Sequence, residues 1–218
     1  MELFAGSRLV LEKNNSLLRI LLIRPPGNEM DQIFFRELKN ILEDILPDTR
    51  AEGLVIQGHG RHFSSGADID ELKKEIKNQQ EAQNSNNFFL SNIRSFAVLE
   101  RLTFPSAALI SGCCLGSGLE LALACNFRLA SKSAVFSLPE IMFRLIPGCG
   151  GLVRLAKLAG REKAAELVLS GRTFDTEEAL KYGIIDAVYE KNQLEEKFLE
   201  ILKFHGKIKR QHHESIVD

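Results

Sequence analysis

The short stretch Gly53-Leu-Val-Ile-Gln-Gly58 constrains the fold most. Its apolar side chains occupy successive positions, so they point to opposite faces of a strand and both faces need cover. That pattern suits a strand inside a parallel sheet with helices on either side. The segment before it agrees. Residues 16–24, Ser-Leu-Leu-Arg-Ile-Leu-Leu-Ile-Arg, form a compact apolar run stopped by Pro25-Pro26-Gly27, which predicts a buried strand followed by a turn. Between the two runs, Asp31 can cap a helix in which Ile33, Phe34, Leu38, Ile41, Leu42 and Ile45 recur at helical spacing until Pro47. Strand, helix, strand implies an α/β architecture.

The same units continue along the chain. Residues 105–111 predict another buried strand, and after glycines 112, 116 and 118 a helix is expected over 119–125. Residues 126–130 and 134–137 read as short strands. Helices follow over 152–159 and 162–169, bounded by Gly160 and Gly171, then over 176–182, ended by Gly183, and over about 193–204 before a basic tail. The last helix carries Leu194, Phe198, Leu199, Ile201 and Leu202 on a broad apolar stripe that must dock on something. Between Asp68 and Arg101 lies a charged stretch, then an Asn- and Gln-rich centre at 78–87 expected to be a loop, then Phe88, Phe89, Ile93, Phe96 and Leu99 at helical spacing. No repeat of solenoid period and no domain-scale linker interrupts this order.

With 218 residues and 44% hydrophobic content, one large domain can bury its core without metal or disulfide staples. Lys and Arg total 28 against 29 Asp and Glu, which gives no global bias toward nucleic acid or an anionic membrane. An anionic ligand would have to be gripped locally. The start shows no signal pattern, and apolar runs such as residues 17–23 are interrupted by Arg19 and too short to span a bilayer, so a cytoplasmic protein is expected. Cys113, Cys114, Cys125 and Cys149 match no C-x-x-C spacing and are read as small core residues, with no metal site expected. Surface or capping roles are assigned to His59, His62, His205, His212 and His213.

Three segments could carry chemistry. In His62-Phe-Ser-Ser-Gly-Ala-Asp-Ile69, small residues let main-chain N–H groups approach a ligand; the plainer reading is a strand-to-helix turn capped by Asp68. In Ser111-Gly-Cys-Cys-Leu-Gly-Ser-Gly-Leu-Glu120, a strand breaks into glycines before a helix, whose unpaired amides and dipole favour negative charge. Glu120 there could be no more than a capping carboxylate. It is neither a Rossmann fingerprint nor a G-x-S-x-G elbow, because the glycine spacing is wrong for both. The third, Phe136-Ser-Leu-Pro-Glu-Ile-Met-Phe143 followed by Pro147-Gly-Cys-Gly-Gly151, places Glu140 on a proline-stiffened loop. Two amide-presenting stretches and two glutamates suit acid–base chemistry beside a developing enolate.

In this order the segments resemble the crotonase (enoyl-CoA hydratase/isomerase) superfamily. Ser64-Ser-Gly-Ala-Asp-Ile69 resembles its first oxyanion motif, Gly112 to Asn126 its long second motif, and Leu138-Pro-Glu140 with Ile146-Pro-Gly-Cys-Gly-Gly151 its third. The resemblance runs from about Leu17 to Val188. It implies an α/β fold with a crotonase-like repeated β-β-α superhelix and a shortened C-terminal helical region, divided as a core domain over 1–190 and a short helix and polar tail over 191–218. It implies hydration of an enoyl-CoA thioester, or the reverse dehydration. The main-chain N–H groups of Ala67 and Ser117 would form the oxyanion hole, where losing one donor typically costs ~2.7–4 kcal/mol. Glu120 would act as base toward a water that the Gly148 amide helps to hold, and Glu140 would deliver the α-proton. The adenine of CoA would lie against carbonyls around Ser65, Ala67 and Ile69. Coenzyme A is then part of the substrate, no separate cofactor is needed, and the substrate is an acyl-CoA or acyl-carrier thioester.

Three departures from the family pattern carry expectations. Ser117 stands where glycine is common, so a positive φ there would strain the backbone. The segment after Ile69 is unusually rich in Asn and Gln. The chain stops soon after Phe204, short of the usual C-terminal helices, although the resemblance still implies a homo-oligomer, a trimer formed through the core. Competing readings are an isomerase using Glu140 alone, a hydrolase of the same fold, and a non-catalytic thioester-binding subunit.

Overall fold

The computed structural model describes residues 1–74 and 95–214, the end of the last helix by its backbone alone. A seven-stranded sheet runs in the order β1-β2-β3-β4-β5-β7-β9. The strands are β1 (Glu2–Ala5), β2 (Leu9–Asn14), β3 (Leu17–Leu22), β4 (Gly53–Gly58), β5 (Ser106–Ile110), β7 (Phe127–Ser131) and β9 (Ala187–Tyr189). The first three are antiparallel neighbours; from β3 to β9 every pairing is parallel. A small parallel pair, β6 (Cys113–Leu115) with β8 (Val135–Ser137), lies apart from it. Single bridges Ser64↔Cys114 and Met30↔Ala67 extend that pair. A main-sheet strand therefore leads into short extended structure and then a helix, first from β4 to the helical residues 69–74 and again from β5 through β6.

The side chains of β4 and β5 show why these runs are apolar throughout. Leu54, Ile56, Ala108 and Ile110 enter the main core, while Val55, Ala107 and Leu109 point to a second cluster on the opposite face. Leu194 and Phe198 of the C-terminal helix complete that second cluster, each 3% exposed or less, with Ile201 and Leu202 packed beside them. The expected apolar stripe docks on its own sheet. Burying each of the two large side chains is worth about 1.5–3 kcal/mol, and of the stripe only Leu199 stays exposed.

Helix α1 (Gln32–Asn40) begins as expected, with Asp31 Oδ1 accepting from Phe34 N at 2.9 Å, and it buries Phe34, Phe35 and Leu38. It does not run on unchanged to Pro47. Proline has no N–H to bond the preceding turn, and the chain passes through a wide turn at Ile41–Ile45 and a tight one at Leu46–Asp48. The other helices are α2 (Ser117–Ala124), α3 (Gly151–Ala159), α4 (Arg161–Ser170), α5 (Thr176–Lys181) and α6 (Leu194–Glu214).

Several boundaries differ from the sequence reading. The β1–β2 hairpin, β6 and β9 were not anticipated. Helix α2 starts at Ser117 rather than Leu119, and α6 continues to Glu214 rather than ending near Phe204. Of the apolar residues expected on a helix before Arg101, Phe96 and Leu99 are buried at 0% exposure; the segment 78–87 and Phe88, Phe89 and Ile93 lie outside the described residues. Among the described residues, no helix is long and apolar enough to cross a membrane.

Candidate active site

The first wall of the site is the turn after β4. Ser64 Oγ donates to Asn28 O at 2.8 Å and accepts from Gly66 N at 3.1 Å, and Ser65 N donates to Gly27 O at 2.8 Å. Met30 N then bonds Gly66 O at 2.9 Å and Asp68 N bonds Met30 O at 3.0 Å. Both neighbours of Ala67 are thereby pinned, while the Ala67 N–H meets no protein acceptor among the described residues. Asp68 caps the following helix, accepting from Asp70 N and Glu71 N at 3.0 Å, and pairs with Arg24 at 2.6 Å. Those bonds hold its carboxyl below the ordinary range, the Glu71 amide foremost and Arg24 next.

The second wall is the start of α2. Gly116 takes φ +50°, a conformation that side-chain-bearing residues rarely adopt, and serves as the N-cap. Ser117 is not among the residues with positive φ, so the strain considered for it does not arise. As the first residue of the helix it has no intrahelical acceptor, and its N–H, like that of Ala67, meets none elsewhere among the described residues.

One turn on, Glu120 is 1% exposed. Its Oε1 accepts from Cys149 N and Gly151 N, both at 2.8 Å, at the N-terminus of α3. The contact is close: a Cβ at Gly151 would lie 2.6 Å from Glu120 Cγ. Burial pushes the Glu120 carboxyl up, and the Gly151 and Cys149 amides and Arg154 oppose that push. Glu140 stands on the tight turn Pro139–Phe143. Its Oε2 is buried and has no hydrogen-bond partner among the described residues. Burial, with the Glu120 charge second, pushes the Glu140 carboxyl up to about 7.

All seven residues singled out from the sequence, Ser65, Ala67, Ile69, Ser117, Glu120, Glu140 and Gly148, line one open cleft. Met30, Phe35, Leu72, Phe143, Leu145 and Ile146 supply apolar lining. Such a cleft, largely apolar with a few convergent polar groups, is the usual form of a small-molecule site.

The enoyl-CoA hydratase/isomerase family model matches residues 12–215. The chain belongs to the enoyl-CoA hydratase/isomerase family. A solved enoyl-CoA hydratase from Geobacillus kaustophilus HTA426 superposes with a TM-score of 0.83 at 27% identity, covering 93% of this chain and 75% of that one. A provisionally assigned enoyl-CoA hydratase of Thermobifida fusca YX, solved in complex with CoA, gives 0.78 at 28%, over 90% and 77%. The fatty acid oxidation complex subunit alpha of Shewanella frigidimarina is 36% identical over 199 residues, 88% of this chain but only 28% of that subunit. The chain thus spans little more than a quarter of that relative's length. The fold is the crotonase fold of these hydratases.

Within this family member, three of the four thiols behave as core groups, while Cys113 is only half-buried. Cys114, Cys125 and Cys149 are buried, and burial pushes the Cys125 thiol up to about 12 and those of Cys114 and Cys149 well up. His62 caps: its Nδ1 accepts from Cys113 N at 3.0 Å. The sequence reading missed two partners of Glu120, the Cys149 and Gly151 amides, and it missed Arg154, 7% exposed on α3. A signal for Arg154 was present. It shares a helical face with buried Gly151 and Leu155, three residues before and one after, a face on which an unpaired charge is costly.

Proposed function

We propose that this chain catalyses hydration of an enoyl-CoA thioester, or the reverse dehydration. The observation that carries the reading is the pair of glutamates, which line one cleft in unlike hydrogen-bonding environments. Glu120 accepts two amide bonds near a guanidinium, which suits an anionic base; Glu140 is half-buried, with one buried oxygen that meets no partner among the described residues, which suits a proton donor near neutral pH. In this reading Glu120 takes a proton from water as the water adds to the β-carbon, and Glu140 gives a proton to the α-carbon. The thioester oxygen, negative in the enolate, sits between the Ala67 and Ser117 amides, whose freedom from protein acceptors supports the assignment. Gly148 helps to hold the water, and the CoA moiety runs along Ser65, Ala67 and Ile69. The CoA bound to the Thermobifida fusca relative supports a CoA thioester as the substrate. Coenzyme A arrives as part of it, with no separate cofactor.

Crotonyl-CoA provides the test. Loss of its conjugated enoyl absorbance with formation of the 3-hydroxyacyl product is expected. Double-bond migration in a 3-enoyl substrate without hydration would replace this reading with isomerisation, and saturable binding without turnover would replace it with a thioester-binding role. The same reading takes the protein as a homo-oligomer, and light scattering over a dilution series that gave only monomer mass would remove that part.

A further inference from the structure

Arg154 is a buried cation that takes no direct part in the reaction proposed above. Its Nη1 donates to Cys149 O, while Nε and Nη2 each donate to one oxygen of Glu100 at 3.1 Å, a two-pronged pair. Cys149 is therefore held from both sides, its carbonyl by Arg154 and its N–H by Glu120 Oε1 at 2.8 Å. Glu100 lies just past the helical residues 95–99 and belongs to none of the three motifs. Its side chain is 42% exposed, whereas that of Arg154 is 8% exposed, so the pair joins the surface to the turn that grips the glutamate.

We propose that Arg154 is a positioning residue for Glu120: it fixes the 149–151 turn whose amides hold the carboxylate and keeps that carboxylate charged, and Glu100 anchors the guanidinium. The charge balance around the site agrees. Glu120 faces Arg154, the Cys149 thiol and Glu140; Arg154 faces Glu100, Glu120, Cys149 and Cys125. Among these groups Arg154 is the cation bearing on Glu120, set against the charge of Glu140. Methionine at 154 would keep much of the bulk while removing both the charge and the bond to Cys149 O, so Glu120 would hold its proton to higher pH.

The kinetic part of this inference rests on Glu120 acting as a base in hydration; the positioning itself does not. Two readouts separate them. Carbon-13 NMR of the labelled Glu120 carboxyl reports its titration midpoint without turnover, and kcat against pH reports the catalytic consequence. Arg154→Met is expected to raise the midpoint by about one pH unit. It should move the acidic limb of kcat the same way and lower kcat roughly 10- to 100-fold, with KM changed by no more than about twofold. Arg154→Lys should restore the midpoint but only part of kcat, since lysine lacks the planar fork. Glu100→Ala should lower kcat about 2- to 5-fold without raising the midpoint. A folded Arg154→Met variant with wild-type midpoint and kcat would overturn the proposal. If that variant does not fold, Glu100→Ala with wild-type kcat overturns it instead. Full hydration by Glu120→Gln would sink the functional reading, and the NMR midpoint would still decide the positioning.

Discussion

The two glutamates of the cleft are the same side chain in opposite settings. Glu120 rides on a buried helix, and its oxygen takes hydrogen bonds from residues 29 and 31 positions away. Glu140 rides on a short turn in which no residue is buried, yet its Oε2 is buried and without a partner among the described residues. Both carboxyls are raised by burial, but Glu120 has two amides of a distant turn and a cation working against the rise, whereas Glu140 has its own backbone amide alone. The difference teaches that burial alone does not set a carboxylate's role; the count of donors aimed at it does. A group with donors can stay charged in a dry site, and one with fewer of them holds a proton it can give away.

The largest expected effect comes from erasing that difference. Glu120→Gln and Glu140→Gln should each lower hydration by at least ~100-fold while the fold is kept. Their effects should not multiply in the double variant, because a base without its acid partner is already idle. The assay is crotonyl-CoA turnover, with circular dichroism to check folding. Near-wild-type hydration by either single variant would break the pairing, and loss confined to Glu140→Gln with double-bond migration retained by Glu120→Gln would favour isomerisation.

A second effect separates the carboxylates from the amides. Ala67→Pro removes the N–H assigned to the thioester oxygen and should cost about 10²- to 10³-fold in kcat, far more than Ala67→Gly, which keeps it. The bridge bonds around position 67 use Gly66 O and Asp68 N rather than the Ala67 N–H. Proline there breaks no observed hydrogen bond, so a folded proline variant that still turns over would show that Ala67 is no oxyanion donor.

Much of this architecture was legible in the sequence because its signals are local. Runs such as 53–58 are apolar on both faces since both faces are covered, and Asp31 announces its helix through a bond only three residues long. The three motifs were readable by their order. The unread parts depend on distant partners. The N-terminal hairpin has a half-exposed first strand with no clear alternation, and its turn is organised by Glu37, which accepts from Ser7, Arg8 and Leu9 amides. Strands β6 and β9 have three residues each, too few to show a period. The Glu120 partners and the Arg154–Glu100 pair join segments far apart in the chain, and no local spacing encodes such a meeting.

The smallest effect is on stability, and its sign runs opposite to activity. Glu140 keeps its proton up to about 7 in the folded protein, whereas its ordinary value is 4.5. Between those values the native state binds a proton that the unfolded chain has lost, so stability falls as pH rises through that window. Below 4.5 both states are protonated and the penalty vanishes; above 7 it is complete. Glutamine at 140 cannot ionise, so Glu140→Gln should be more stable than wild type at pH 8, on the order of 1–3 kcal/mol. Thermal melts of both proteins at pH 4 and pH 8 make the check: the melting temperatures should nearly coincide in acid and separate in base with the variant higher. Equal melting temperatures at pH 8 would mean that Glu140 is as well solvated as a surface carboxylate, and the contrast between the two glutamates would collapse with it.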